Sequence, residues 1–232
     1  MNKKLLIFLF VLSPMVLFSQ VKNEIWTDYI HNHYLNNKWV LYGDATVRFG
    51  GSFVVGIRPS FKYLVSNNIS LRGGIGNNYF LDGKNNISTI EIRPWQGVRV
   101  VWPQTRFFSL QHYVRVEEQY TSNGYGDKDF EGSVRIRYQI GTDVDIWESE
   151  SGDMLLKIPI EYEVFNTFNK SDYFIDRDRF ILGLSFAMRN LLTLEFNYVL
   201  QRAGESLRNM NNEKSIYRFR IRHTFDKRKK KN

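Results

Sequence analysis

Arg218, Arg220 and Arg222 stand two residues apart in "SIYRFRIRHTF" (215–225). Glu161 and Glu163 share that spacing, as do Arg135 and Arg137, Arg115 and Glu117, and Glu91 and Arg93, with Arg99 in the same phase. A spacing of two puts side chains on one face of a strand. If all twelve charges face one enclosure, two kinds of chemistry are open to them. They can interleave as ion pairs and fill a narrow interior. Alternatively they form a constriction that passes small solutes and selects by sign. The excess of arginine would then favour anions, weakly.

Other chemistry has thinner support. The histidines are His31, His33, His112 and His223. His112 and His223 fall on the apolar phase of their segments, where a lone polar ring suits an interface better than catalysis. Asp28 lies near His31, but a hydrolase needs a nucleophile, a base and an orienting group together. Ser109, three before His112, faces the opposite side. His31 and His33 alone are too few ligands for a metal site. "GGIG" (73–76) has no helix after it, which argues against a phosphate loop. Its glycines suit a bend or a close contact within a strand. No catalytic residue, cofactor site or metal ligand is assigned, and no cofactor is expected.

The elements that carry these residues alternate with period two. In "WVLYGDATVRF" (39–49), Trp39, Leu41, Ala45, Val47 and Phe49 oppose Asp44, Thr46 and Arg48. In "SVRIRYQIGTDVDIW" (133–147), Val134, Ile136, Tyr138 and Ile140 oppose Arg135, Arg137 and Gln139. Similar segments run at 53–65, 69–80, 89–102, 106–120, 155–165, 179–189, 193–201 and 215–225. Helices would group apolar residues at three and four instead. Short turns at 66–68, 103–105 and 189–191 alternate with long polar loops at 82–86, 121–130, 169–176 and 204–213, as the two ends of an outer-membrane barrel do.

The chain opens "MNKKLLIFLFVLSPMVLFSQ", with Lys3 and Lys4, an apolar run and then Ser19 and Gln20. That is the layout of a secretory signal, cleaved after Ser19 or Gln20. With no cysteine, the chain has no disulfide, no thiolate site and no lipidated N-terminus. The net charge of +8 comes from 32 basic and 24 acidic residues. Lys3 and Lys4 account for two of these charges. The tail from Asp226, with five basic residues and one acid, accounts for four, so the body is near +2. Nucleic-acid binding is therefore not expected. The organisation read from the sequence is a signal peptide over 1–20, one barrel over 21–226, and a basic tail over 227–232.

No later stretch is long enough for a membrane helix, but that test misses barrels, whose lipid face uses every second residue. Sandwich strands run about five or six residues, whereas a tilted membrane strand needs ~9–11. These segments are longer. The fold expected is all-β: a single antiparallel transmembrane up-and-down barrel of 10–12 strands. Trp39, Trp102, Tyr120 and Phe225 suit interfacial girdles. With "EIWTDYIHNHYL" (24–35) the count is eleven, against the even numbers usual for bacterial barrels. Ten is favoured, with 24–35 outside the wall.

"RPWQGVRV" (93–100), "SLQHYVRVEEQY" (109–120), "VRIRYQI" (134–140) and "NNKWVLYGDATVRF" (36–49) together resemble the bacterial outer-membrane family known as domain of unknown function 2490. The resemblance covers nearly the whole mature chain. It implies a barrel in the outer membrane and supplies no activity or catalytic residue. The partners expected are outer-membrane lipid and the barrel-insertion machinery, which generally reads a terminal aromatic strand, together with small solutes if the lumen is open. The function expected is a structural or interaction barrel with an ion-paired lumen and no enzymatic role. A narrow porin-like channel with anion preference and a surface hydrolase are the alternatives.

Overall fold

The structure is a computed structural model that describes residues 22–82, 87–103, 108–123, 130–168, 175–188, 191–204, 214–226 and 228. The expected signal peptide (1–20), tail residues 227 and 229–232, and most of the long loops lie outside the described residues.

Period-two alternation resolves into eleven strands among the described residues. They are β1 (Lys22–Tyr34), β2 (Trp39–Phe49), β3 (Phe53–Leu64), β4 (Ile69–Asp82), β5 (Ile87–Val101), β6 (Phe108–Asn123), β7 (Glu131–Glu148), β8 (Met154–Phe168), β9 (Arg177–Met188), β10 (Leu192–Ala203) and β11 (Lys214–Phe225). Each is hydrogen-bonded to its sequence neighbours, and β1 to β11, so the sheet closes into a barrel. Closure leaves no strand edge unpaired.

Two expectations are corrected here. The strand count among the described residues is eleven, inside the expected range of 10–12 but above the ten favoured, and residues 24–34 belong to a wall strand. The barrel is also not wholly antiparallel: β1 and β11 run parallel, from Lys22↔Lys214 to His33↔Phe225. An odd meander brings its first and last strands together pointing the same way, and a parallel ladder satisfies both. β1 was hard to read because its inward row includes Trp26 and Ile30, which are buried. Trp26 clusters with Ile181, Val199 and Ile216 on the inner face of the adjoining strands β9, β10 and β11. An apolar cluster inside the barrel breaks the polar-in rule locally.

Elsewhere the rule holds. Ile57, Phe61, Leu71, Ile136, Leu182 and Phe219 stand on the outer wall with roughly half their surface exposed, whereas Glu117, Glu163, Arg115 and Arg218 are buried within. Stretches between strands lengthen at one end, from 50–52 to 204–213, and stay short at the other, where β11 finishes at Phe225. Gly152 makes one short turn possible. Its φ of 68° is open to glycine at little cost, and its N–H donates to Ser149 O at 2.8 Å. Gly74, from "GGIG", lies where a Cβ would collide with the Pro59 carbonyl and Ser60 on β3. Close strand approach, not phosphate binding, explains that glycine.

Candidate functional site: the charged lumen

The inward row of each strand brings the charges together. Glu117 on β6 faces Arg135 across the β6–β7 ladder and accepts from its Nε at 2.9 Å. Arg115, two residues back on the same strand, also pairs with Glu117, and Arg93 reaches it at 3.5 Å. No part of Glu117 is exposed. Glu163 on β8 is 1% exposed; it accepts from Arg137 Nε at 2.5 Å and from Arg179 at 3.4 Å. Glu91 joins Asn78 at 2.7 Å and pairs with Arg93. On the other side of the barrel, Glu195 takes Arg220 at 2.8 Å and Arg222 at 2.9 Å.

All twelve charges singled out from the sequence fall on the inward face. Nine make an ion pair with a described residue: Glu91, Arg93, Arg115, Glu117, Arg135, Arg137, Glu163, Arg220 and Arg222. Arg99, Glu161 and Arg218 line the cavity without such a pair among the described residues. Sequence reasoning left out Arg58 with Asp44 (2.5 Å), Arg179, and Glu195. Parity alone would have added Glu195, which alternates with Leu194 and Phe196.

Aromatic posts inside the lumen were also missed. Arg58 and Arg115 lie 5.6 and 5.2 Å from the Trp95 ring centre. Arg179 lies 4.8 Å from the Phe165 ring and 5.1 Å from the Trp26 ring. Such stacking holds guanidinium groups in place beside their carboxylates. Trp95 shares the phase of Glu91 and Arg93, so its position was legible and its apolar type hid the role.

The interior is not filled. A cavity of about 900 Å³ runs along it, from Thr167 and Arg177 near the long-loop end to Leu155, Thr193 and Arg222 near the other. Fourteen basic residues line it against seven carboxylates; with the fully buried Glu117 and Glu163 the carboxylates are nine, an excess of five positive charges.

The histidines lie elsewhere. Asp28 lines the cavity, while His31 sits on the opposite, outer face of β1, beside His33 (ring centres 6.0 Å apart) and 5.4 Å from Phe225. His223 packs on Phe225 at 4.1 Å. His112 shares a 2.8 Å hydrogen bond with Tyr138 on the outer wall, with Trp102 at 6.3 Å. Among the described residues no three potential ligands converge to hold a metal ion.

No curated protein matches the sequence. Among solved structures, the NanC porin is similar in fold, with a TM-score of 0.45 and 12% identity over 76% of this chain and 86% of that one. The beta domain of the Bordetella autotransporter BrkA gives 0.46 and 12% over 74% and 80%. The family model described as protein of unknown function (DUF2490) matches residues 23–213. Motif order, barrel closure and this match agree, and the chain belongs to that family of unassigned activity.

Proposed function

We propose that this protein is an integral outer-membrane barrel, not an enzyme, whose basic lumen is a narrow conduit for small anions. The positive excess along the 900 Å³ cavity carries the reading. In a confined space of low effective dielectric, unbalanced fixed charge attracts counter-ions and repels like ions. Membrane placement rests on the outer wall. The outer wall exposes large apolar side chains on strand after strand, Ile57, Phe61, Leu182 and Phe219 among them, and exposed apolar surface of this kind marks a membrane or partner contact. Strands of 11 to 18 residues are long enough to cross hydrocarbon. Lipid on the outside and the insertion machinery during assembly are the partners this implies. The opposite faces of Asp28 and His31 argue against a hydrolytic pair.

The test is cell fractionation followed by planar-bilayer recording of the refolded protein. Outer-membrane recovery and discrete current steps are expected. Recovery in the soluble periplasmic fraction contradicts the placement. Outer-membrane recovery without current favours the second reading, a closed structural barrel, for which the sealed Glu117 and Glu163 pairs are the supporting observation.

A further inference from the structure

Buried lumen atoms without a hydrogen-bond partner are mostly donors, and several share one row of the wall. Arg218 is 7% exposed and lines the cavity, yet its Nε and Nη2 have no partner. The β1–β11 ladder sets it beside Trp26, and the β1–β2 ladder sets Arg48 on the other side of Trp26. The Arg48 guanidinium lies 4.3 Å over the indole centre, with Nε also unpartnered. Next to Arg218 on β10 is Asn197, which is 1% exposed and whose Nδ2 has no partner. Two carboxylates of β1 border the row: Glu24 accepts from Trp26 Nε1 at 2.9 Å and pairs with Lys214, and Asp28 lies 3.8 Å from Arg220 Nε, but neither is hydrogen-bonded to Arg48 Nε, Arg218 Nε and Nη2 or Asn197 Nδ2. Buried donors without acceptors are costly, so this row favours a species that brings acceptors and negative charge together.

We propose that Arg48, Trp26 and Arg218, which line the cavity, with Asn197 buried beside Arg218, form a binding site for a small oxyanion, the carboxylate or phosphate group of a solute in the lumen. The guanidinium fork presents parallel N–H groups that match two oxygens of either group. Stacking on Trp26 fixes Arg48 and lowers the ordering needed on binding. Water supplies acceptors too, but each molecule adds its own donors and no charge, so it cannot balance the excess. The inference rests on the reading that solutes reach the lumen, and it concerns a fixed site where that reading concerns flow.

Isothermal titration of the refolded full chain in micelles, at low chloride, tests it directly. Sodium acetate and sodium phosphate are titrated separately. Saturable one-site binding of at least one is expected, and the arm that binds names the class. Arg218→Gln should weaken binding at least about tenfold, with folding checked by the heat-modifiable band on a gel. Arg218→Lys keeps the charge but loses the fork; an intermediate loss is expected, and it serves if the glutamine variant does not fold. No saturable binding of either ion, or equal affinity in the folded variants, overturns the site. Binding without bilayer current keeps the site and overturns the conduit. Current without binding does the reverse.

Discussion

Glu117 is the residue on which the paired part of the lumen turns. It touches three guanidinium groups, from Arg93, Arg115 and Arg135, with no exposed surface. Removing one partner of a buried pair leaves the others charged in a poor solvent, which costs about 3–5 kcal/mol. Glu117→Gln should therefore lower the barrel's urea resistance in micelles by that order. Adding Arg135→Gln should restore part of the loss, because the two changes act on one interaction. An unchanged midpoint in the single variant contradicts the pairing.

At the scale of the strand, facing decides the consequence of a charge. Leu182 stands on the outer wall of β9, 42% exposed, and Gln139 on β7 lines the cavity. Leu182→Arg should cost about 2–4 kcal/mol if it lies near the membrane midplane, whereas Gln139→Arg should be much milder. Equal loss of the folded gel band in both contradicts the assigned faces. The β1–β11 seam can be tested as directly, since the chain has no native cysteine. Thr27 and Phe219 are parallel partners. Thr27→Cys with Phe219→Cys should cross-link on mild oxidation, and Val47→Cys with Phe219→Cys should not. The reverse outcome would mean that β2 meets β11 and β1 is no wall strand. Strand facing was legible because lipid-type and lumen-type residues alternate over long runs, as in Arg218 to Arg222 against Phe219 and Ile221. Closure was not. Nothing local in 24–35 records that its neighbour is β11, and the apolar partners of its inward Trp26, namely Ile181, Val199 and Ile216, are distant in sequence. The stacking of Arg179 on Trp26 and Phe165 was hidden for the same reason.

Across the whole molecule, net charge conceals how charge is sorted. The body apart from the first twenty residues and the tail is near +2, yet its cavity carries an excess of five positive charges. Composition averages over the two; only the closed barrel separates them. The measurement that tests this most directly is the reversal potential of the refolded protein in a planar bilayer under a potassium chloride gradient. A basic conduit should give a potential displaced toward the chloride equilibrium value, and further displaced in any Glu117→Gln protein that folds. A displacement toward the potassium value would contradict the basic conduit.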